Sequence, residues 1–492
     1  MHKVFGGPGC GKTTRLLQIV EQELADGVPP NAIAFVGFTR KAAHEALARA
    51  KERFGLTEDD LPFFRTLHSL AFRQLGLGRG DVMGQEDYRQ IGEEIGVTFG
   101  QQEEDFEIFV GASKGDQCAY AEQLSRLTLV SLEQTCLRLN QQSYWDVKLY
   151  ADCLAAYKLG RRKIDFTDML ERFRDGQGAK PQLRVVVVDE AQDLSALQWQ
   201  VVRHICEGTD RVYIGGDDDQ AIYQWAGADV DQFIDLAGTV EVLPHSHRLP
   251  SKLQALAFGI LQRIHKRQPK QWTPHREGGV IRYYAEPEMV DMERDTWLVL
   301  VRNRFMLDEF VRLLRVSGYP YVLHGKSSTD NEVTRAVMYW EALRAGQVFA
   351  PDVVRKVYAR MVPGSVEPKF KSLTGAEGEL GLDDLQQSWG LKTKADWMDT
   401  IRMPSADREY YRAVRRSGES MLKVPRITVS TIHQAKGGEA DNVLLCPDMA
   451  AACYRDMVRD PDGEGRVFYV GATRAKEGLH LLYPRSGKYF EI

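Results

Sequence analysis

The sequence predicts an α/β fold: parallel sheets carrying a phosphate-binding loop, with mainly helical segments inserted between strands. Three observations lead there. A short strand expected at residues 3–5 runs into "GGPGCGKT" (6–13) and then into an amphipathic helical pattern over 14–24, the strand–loop–helix order of a phosphate cradle. The β-branched run in "RVVVVDEAQD" (184–193) has no polar face, as a buried parallel strand requires, and it stops at an acidic pair. Strand–turn–helix blocks recur toward the C-terminus, in "WLVLVRN" (297–303), "ITVSTIHQAKGGEADNVLL" (427–445) and "GRVFYVGATRAKEGLHLLY" (465–483), each of the last two read as strand and helix joined by a glycine-containing turn.

Gly6, Gly7, Pro8, Gly9, Cys10, Gly11, Lys12 and Thr13 satisfy G-x-x-x-x-G-K-[ST] without a mismatch. Glycines let backbone N–H groups close on phosphate oxygens, and the helix that Thr14 opens adds positive potential at its N-terminus. Lys12 is expected to reach the β- and γ-phosphates of a nucleoside triphosphate, and the Thr13 hydroxyl to ligate Mg²⁺. Eight matching positions in the right context weigh against a chance glycine-rich turn.

Asp189 and Glu190 follow the valine run, and ligands of open α/β sheets bind beyond the carboxyl ends of strands. Asp189 is expected to hold Mg²⁺ through its water shell, and Glu190 to orient and deprotonate an attacking water. "IGGDDDQAIYQWAGAD" (214–229) raises a different question, because three aspartates and Gln220 stand close to Tyr223 and Trp225. Gln220 and Trp225 are five residues apart, at most ~18 Å along an extended chain. One segment can therefore touch a phosphate and a flat ligand together. Packing in the core is the alternative for either aromatic taken singly.

Further blocks fall in order along the chain: "AFVGFTRKAA" (34–43), "FRTLHSLAF" (64–72) with Thr66 and His68, "RKIDFTDML" (162–170), and "LPHSHRLPSKL" (243–253) with Arg248. With VDEAQDLS, GDDDQAIYQWAGA, TIHQAKGGEA and YVGATRA, the sequence resembles the UvrD/Rep-like helicases of superfamily 1 through the whole chain. That resemblance implies two RecA-like domains facing each other across ATP, with single-stranded DNA, or DNA bearing a single-stranded tail, crossing their top. It implies that Gln220 senses the γ-phosphate and that Arg248 and Arg474 are arginine fingers from the second domain. Glu439 would touch the ribose. Phe38, Thr39, Thr66, His68, Tyr223, Trp225 and His433 would contact DNA, and movement would run 3′→5′.

Phosphoryl transfer needs charge stabilisation at the γ-phosphate, and a guanidinium from a separate domain supplies it only on closure. Aromatic side chains stack on any base, so they grip single strands without reading sequence. His68 and His433 rise above ordinary structural histidines only through their motifs. Arg40, Lys41, Arg161, Arg162 and Lys163 form short basic runs that usually mark solvated surface.

Several positions depart from the family pattern. Only five residues precede Gly6, where relatives carry a glutamine-containing segment that reads adenine, so selectivity among nucleotides is left open. His247 stands where tyrosine is frequent, and is expected to stack on the base instead. Ala226 and Ala221 replace a frequent arginine and serine. At the C-terminal end only "YPRSGKYFEI" (483–492) offers a hairpin, turning at Ser486-Gly487. Translocation is therefore the safer expectation than vigorous unwinding. An ATP-gated binding switch that unwinds nothing is the rival reading, whereas a simple kinase has no use for Arg248 and Arg474.

With 492 residues the chain exceeds a single hydrophobic core. The first RecA-like core is expected over 1–72 and 160–240, with a helical insertion at 73–159. The second is expected over 241–326 and 424–492, with a second helical insertion at 327–423. Trp340, Trp389 and Trp397 in that insertion read as core. A net charge of −5 means that a nucleic acid must find a local basic track. Seven cysteines without a CxxC pair read as reduced thiols, not a disulfide frame or zinc site. The absence of a long apolar run or a signal-peptide core predicts no membrane contact and a cytoplasmic location. A protein partner cannot be named.

Overall fold

The computed structural model describes residues 1–38, 40–100, 102–103, 108–109, 111, 113–140 and 142–492. Thr39 lies outside the described residues. The chain forms two compact units. Unit one comprises Met1–Gly279 with Arg455–Thr473, and unit two comprises Val280–Tyr454 with Arg474–Ile492. Each is α/β, and the cores are RecA-like with helical insertions.

Unit one is built on β1 (His2–Gly6), β2 (Ile33–Gly37) and β3 (Phe64–Thr66), a short pair β4 (Gln102–Glu103) and β5 (Ile108–Phe109) within the insertion, and then β6 (Val185–Val188), β7 (Arg211–Gly216) and β8 (Thr239–Leu243). The main sheet runs β3-β2-β6-β7-β1-β8, with every pairing parallel. All four valines of β6 are fully buried, which is why the run carries no alternation. Gly215 and Gly216 in β7 have a packing cause. A Cβ there would come within 2.6 Å of Leu16 and 2.5 Å of the Gln192 side chain.

Because the strands are parallel, their carboxyl ends share one edge of the sheet. Along that edge lie Thr66 ending β3, Phe38 after β2, Asp189 after β6, Asp217 after β7, the glycine loop after β1, and the 244–249 segment after β8. Phosphate-loop and acid-pair positions thus become neighbours although nearly 180 residues separate them (|i−j| = 176 for Thr13 and Asp189). The insertion packs helices Gln85–Ile95, Lys114–Thr128, Leu132–Leu139 and Tyr144–Arg161 around Tyr88, Ile91, Val147, Tyr150 and Leu154.

Unit two contains β9 (Val280–Tyr284), β10 (Trp297–Val301), β11 (Tyr321–Leu323), β12 (Lys326–Ser327), β13 (Ile427–Thr431), β14 (Ala440–Leu445) and β15 (Ala475–Leu482). Its order is β12-β11-β13-β10-β14-β15-β9, parallel except for the β11–β12 hairpin. Trp340 is fully buried, Trp397 is buried, and Trp389 packs against the same apolar cluster.

The structure differs from the sequence reading in three places. The second core was expected over 241–326 and 424–492, yet 241–279 and 455–473 belong to unit one. The cause is direct: β8 pairs with β1, Ser246 and His247 bond to the glycine loop, and Asp462 accepts the N–H groups of His265 and Lys266. Residues 427–445 form two strands joined by turns, not a strand and a helix. The terminal segment makes no hairpin on itself; the Asp448 carboxylate accepts the N–H groups of Arg485 and Ser486 and draws it aside.

Candidate active site

The glycine loop follows β1 and leads into the helix Lys12–Ala25. Gly9 and Gly11 take left-handed backbone, φ 72° and 76°, which glycine adopts without strain. Cys10 N–H donates to Gly7 O at 3.2 Å, which tightens the loop. Burial pushes the Cys10 thiol up to about 11 despite Lys12 nearby, so the sulfur is a neutral packing group. The Lys12 ammonium folds onto Gly6 O at 3.1 Å, and Thr14 is exposed at the helix start.

The Thr13 hydroxyl donates to Asp189 Oδ2 at 2.7 Å. Asp189 is 4% exposed, and burial together with the adjacent Glu190 charge lifts its carboxyl to about 6. A hydroxyl beside a carboxylate is the hard-oxygen pair that suits Mg²⁺. Glu190 stands in left-handed backbone at φ 54°, and its carboxylate accepts the Gln192 amide at 2.5 Å. The other end of that amide, Gln192 Oε1, accepts Asp217 N–H at 2.9 Å. The Gln220 amide then donates to Asp217 Oδ2 at 2.6 Å. Glu190 and Gln220 are therefore joined by a continuous run of hydrogen bonds.

The segment after β8 closes over the loop. The Ser246 hydroxyl donates to Pro8 O at 2.7 Å, and His247 N–H donates to Gly9 O at 2.9 Å. A Cβ at Gly9 would come within 2.5 Å of Arg248 Cβ, so that glycine is required by the approach. The Arg248 guanidinium bonds to Thr473 O at 3.5 Å. Arg248 was expected from the second domain; it belongs to unit one, held there by the Ser246 and His247 contacts. His247 is exposed, with its ring 4.9 Å from that of His245.

Farther along the edge, Phe38 stacks on Tyr223 with centroids 5.8 Å apart and planes at 21°. Tyr223 meets Trp225 edge-on at 6.4 Å. Tyr223 is buried and Trp225 half-buried, its main-chain carbonyl accepting the Tyr120 hydroxyl at 2.6 Å. Phe38, Thr66 and His68 line one cavity of about 300 Å³ with Arg40, Arg65 and Phe166. Thr66 caps the helix Leu67–Gln74 by accepting Ser69 N–H. Burial, reinforced by Arg40, lowers the His68 pKa to about 4, so its ring is neutral near pH 7.

Unit two holds the other three positions. Arg474 is buried and donates to Gly438 O at 3.4 Å. Glu439 pairs with Lys476 at 2.7 Å. His433 lies half-buried in the turns after β13.

Four residues were not picked out from the sequence: Gln192, Ser246, Arg267 and Lys270. Arg267 grips Asp219 with two bonds, 2.7 and 2.6 Å, and Lys270 lies among all three aspartates. "RQPKQWTP" (267–274) carries no local pattern that marks them.

A family model described as the UvrD/REP helicase N-terminal domain matches residues 1–241, and one for the UvrD-like helicase C-terminal domain matches 426–482. The chain belongs to the UvrD/Rep-like helicase family. Among curated relatives of that family, the ATP-dependent DNA helicase PcrA of Bacillus subtilis (strain 168) is 24% identical over 57% of this chain and 40% of its own. DNA helicase II of Escherichia coli (strain K12) is 26% identical over 59% of this chain and 42% of its own. The chain thus spans about two fifths of the length of these two relatives. A probable DNA helicase II homolog of Rickettsia conorii (strain ATCC VR-613 / Malish 7) is 23% identical over 99% of this chain and 91% of its own. No helix of this UvrD/Rep-like chain is long and apolar enough, among the described residues, to cross a membrane.

Proposed function

We propose that this protein is an ATP-dependent motor that moves 3′→5′ on single-stranded DNA, including the single-stranded tail of a duplex. The observation that carries the reading is the shared sheet edge. It sets the glycine loop, Asp189-Glu190 and Gln220 beside the Phe38–Tyr223 stack. The family and its named helicases support it further.

In this reading the backbone of Gly6–Thr13 and the Lys12 ammonium hold the β- and γ-phosphates, with Thr14 at the helix start. Thr13 and Asp189 would hold Mg²⁺, which when bound would supply neutralising charge at the phosphates. Glu190 takes the proton of the attacking water, its carboxylate aimed by the Gln192 amide. Gln220 faces the γ-phosphate, and Arg248 and Arg474 stabilise its charge in the transition state. Glu439 bonds the ribose and His247 covers the base. Phe38, Tyr223 and Trp225 stack on DNA bases. Thr39, Thr66, His68 and His433 contact the strand, with His68 acting as a neutral donor or acceptor. Because Gln220 and Trp225 share one short segment, a change at the phosphate is felt at the base.

The test is the ATP hydrolysis rate against single-stranded DNA length, with RNA and duplex DNA as controls. A translocating motor gives stimulation that rises with strand length and then saturates. Length-independent stimulation would replace the motor with an ATP-gated switch. No stimulation by DNA would sink the DNA reading.

A further inference from the structure

Three aspartates in a row form a group whose oxygen atoms lie within 4.8 Å of one another, all buried. Such a set is costly without a cation, since an unpaired buried charge loses its hydration with nothing in return. The cation belongs to the chain itself. The Lys270 ammonium lies 3.1 Å from Asp217 Oδ1 and 2.8 Å from Asp219 Oδ2, and it also pairs with Asp218. Its side chain is completely buried. Burial alone would strip its proton, but the three carboxylates outweigh burial and hold its pKa above the ordinary lysine range.

The neighbours complete the cluster. Arg267 takes both oxygens of Asp219, and Gln268 N–H donates to Asp218 Oδ2 at 2.7 Å. Asp217 therefore faces two ways: one oxygen to Lys270, the other to the Gln220 amide. Its own N–H bonds Gln192, which holds Glu190. Remove the ammonium and Asp217 loses the charge that fixes its rotamer.

We propose that Lys270 is a positioning residue for ATP hydrolysis, an internal ammonium in the place a metal ion would take, which acts through Asp217 to aim the Gln220 amide. The proposal rests on Gln220 facing the γ-phosphate in the proposed function. Lys270 itself touches no substrate. Its role is to keep Gln220 and Glu190 in register, so its loss lowers the rate of the chemical step and leaves nucleotide binding alone.

The test uses the full chain and three variants, each first checked for folding by circular dichroism and thermal melting. Asp217→Asn keeps the shape of the side chain and breaks the ion pair. Lys270→Met with Asp218→Asn removes the ammonium at unchanged net charge of the cluster. Gln220→Ala reports on the sensor by itself. The expected result for the first two is a fall in kcat of about tenfold or more, less than the 10²–10³ that loss of a whole transition-state donor costs. KM and the dissociation constant of a fluorescent ATP analogue stay within about twofold, the split expected for an interaction made only in the transition state. Adding Asp217→Asn to Gln220→Ala should produce no loss beyond that of Gln220→Ala alone, because the two act as one unit.

An unchanged kcat in folded Asp217→Asn, or losses that multiply in the double variant, would overturn the proposal. So would a weakening of nucleotide binding that matches the fall in kcat, since that is what a purely structural prop would give. If Gln220→Ala alone keeps full kcat, the sensor reading of Gln220 falls instead, and the proposal falls with it for a separate and identifiable reason.

Discussion

The Thr13 hydroxyl donates to Asp189 Oδ2 at 2.7 Å, joining two residues 176 positions apart across the ends of β1 and β6. With burial and the Glu190 charge raising Asp189 from 3.8 to about 6, the nucleotide-free fold holds the proton to higher pH than the unfolded chain does. That preference stabilises the fold fully below the unfolded pKa and is lost as pH rises through about 6. A magnesium ion requires the anion, so magnesium-nucleotide affinity should run the other way. It should strengthen between about pH 5 and 7, as Asp189 ionises. Calorimetric titration of Mg-ADP at three pH values checks this. Asp189→Asn should show weak binding with a flat profile, and an equally steep profile in that variant would disprove the assignment.

Glu190→Gln keeps the hydrogen-bonding shape next to Gln192 and removes the base. Turnover should fall by roughly 10²–10⁴ while nucleotide affinity holds, the range a positioned general base supplies. Steady-state hydrolysis and equilibrium binding on the same preparation give both numbers. Sustained turnover would exclude Glu190 as the base.

Trp225→Ala removes the ring but not the carbonyl that Tyr120 holds. Single-strand affinity should drop about 5- to 150-fold, equivalent to the roughly 1–3 kcal/mol of one base–aromatic stack. Basal hydrolysis without DNA should stay near that of the parent protein. Fluorescence anisotropy with labelled oligonucleotides measures the loss, and a lowered melting temperature without a DNA effect would make Trp225 a packing residue.

Arg126 ties the inserted helices to the first core. Its guanidinium reaches Asp165 at 2.9 Å, Asp168 at 2.6 Å and Glu171 at 2.7 Å, with Glu122 at 3.3 Å on its own helix. Burial raises the Glu122 carboxyl to about 7 although Arg126 pulls it down, and Lys158 shares Asp165 and Asp168 with Arg126. Arg126→Met should cost about 3–5 kcal/mol of stability, as removal of one partner from a buried ion network does. Urea unfolding would read this directly, and a loss under 1 kcal/mol would mean that water or Lys158 compensates.

The legible parts of this protein were those coded by short contiguous patterns. The glycine loop could be read from eight letters, and β6 from four valines before an acidic pair. Phe38 and Tyr223 could be named singly but not as a stack, because their contact depends on β2 and β7 ending at the same edge. Lys270 and Arg267 were invisible for a physical reason: a buried cation is recognised by its partners, and these lie about 50 residues upstream. The boundary near 240 was misplaced because the segment after β8 resembles a linker in composition. Ser246 and His247 tie it to the first unit through single backbone contacts and Lys270 through three ion pairs, none of which has a periodicity.

The chain passes between the two units at three points, after Gly279, after Tyr454 and after Thr473. The residues 455–473 return to unit one, where Phe468 and Tyr469 are fully buried and Asp462 accepts the N–H groups of His265 and Lys266. A fragment ending at Gly279 would therefore lack an internal wall and expose an apolar face to aggregation. A protease cutting at any one crossing would leave the halves covalently joined through another. To isolate unit one as a stable piece, residues 455–473 would have to be grafted back through a linker, in the manner of a circular permutation.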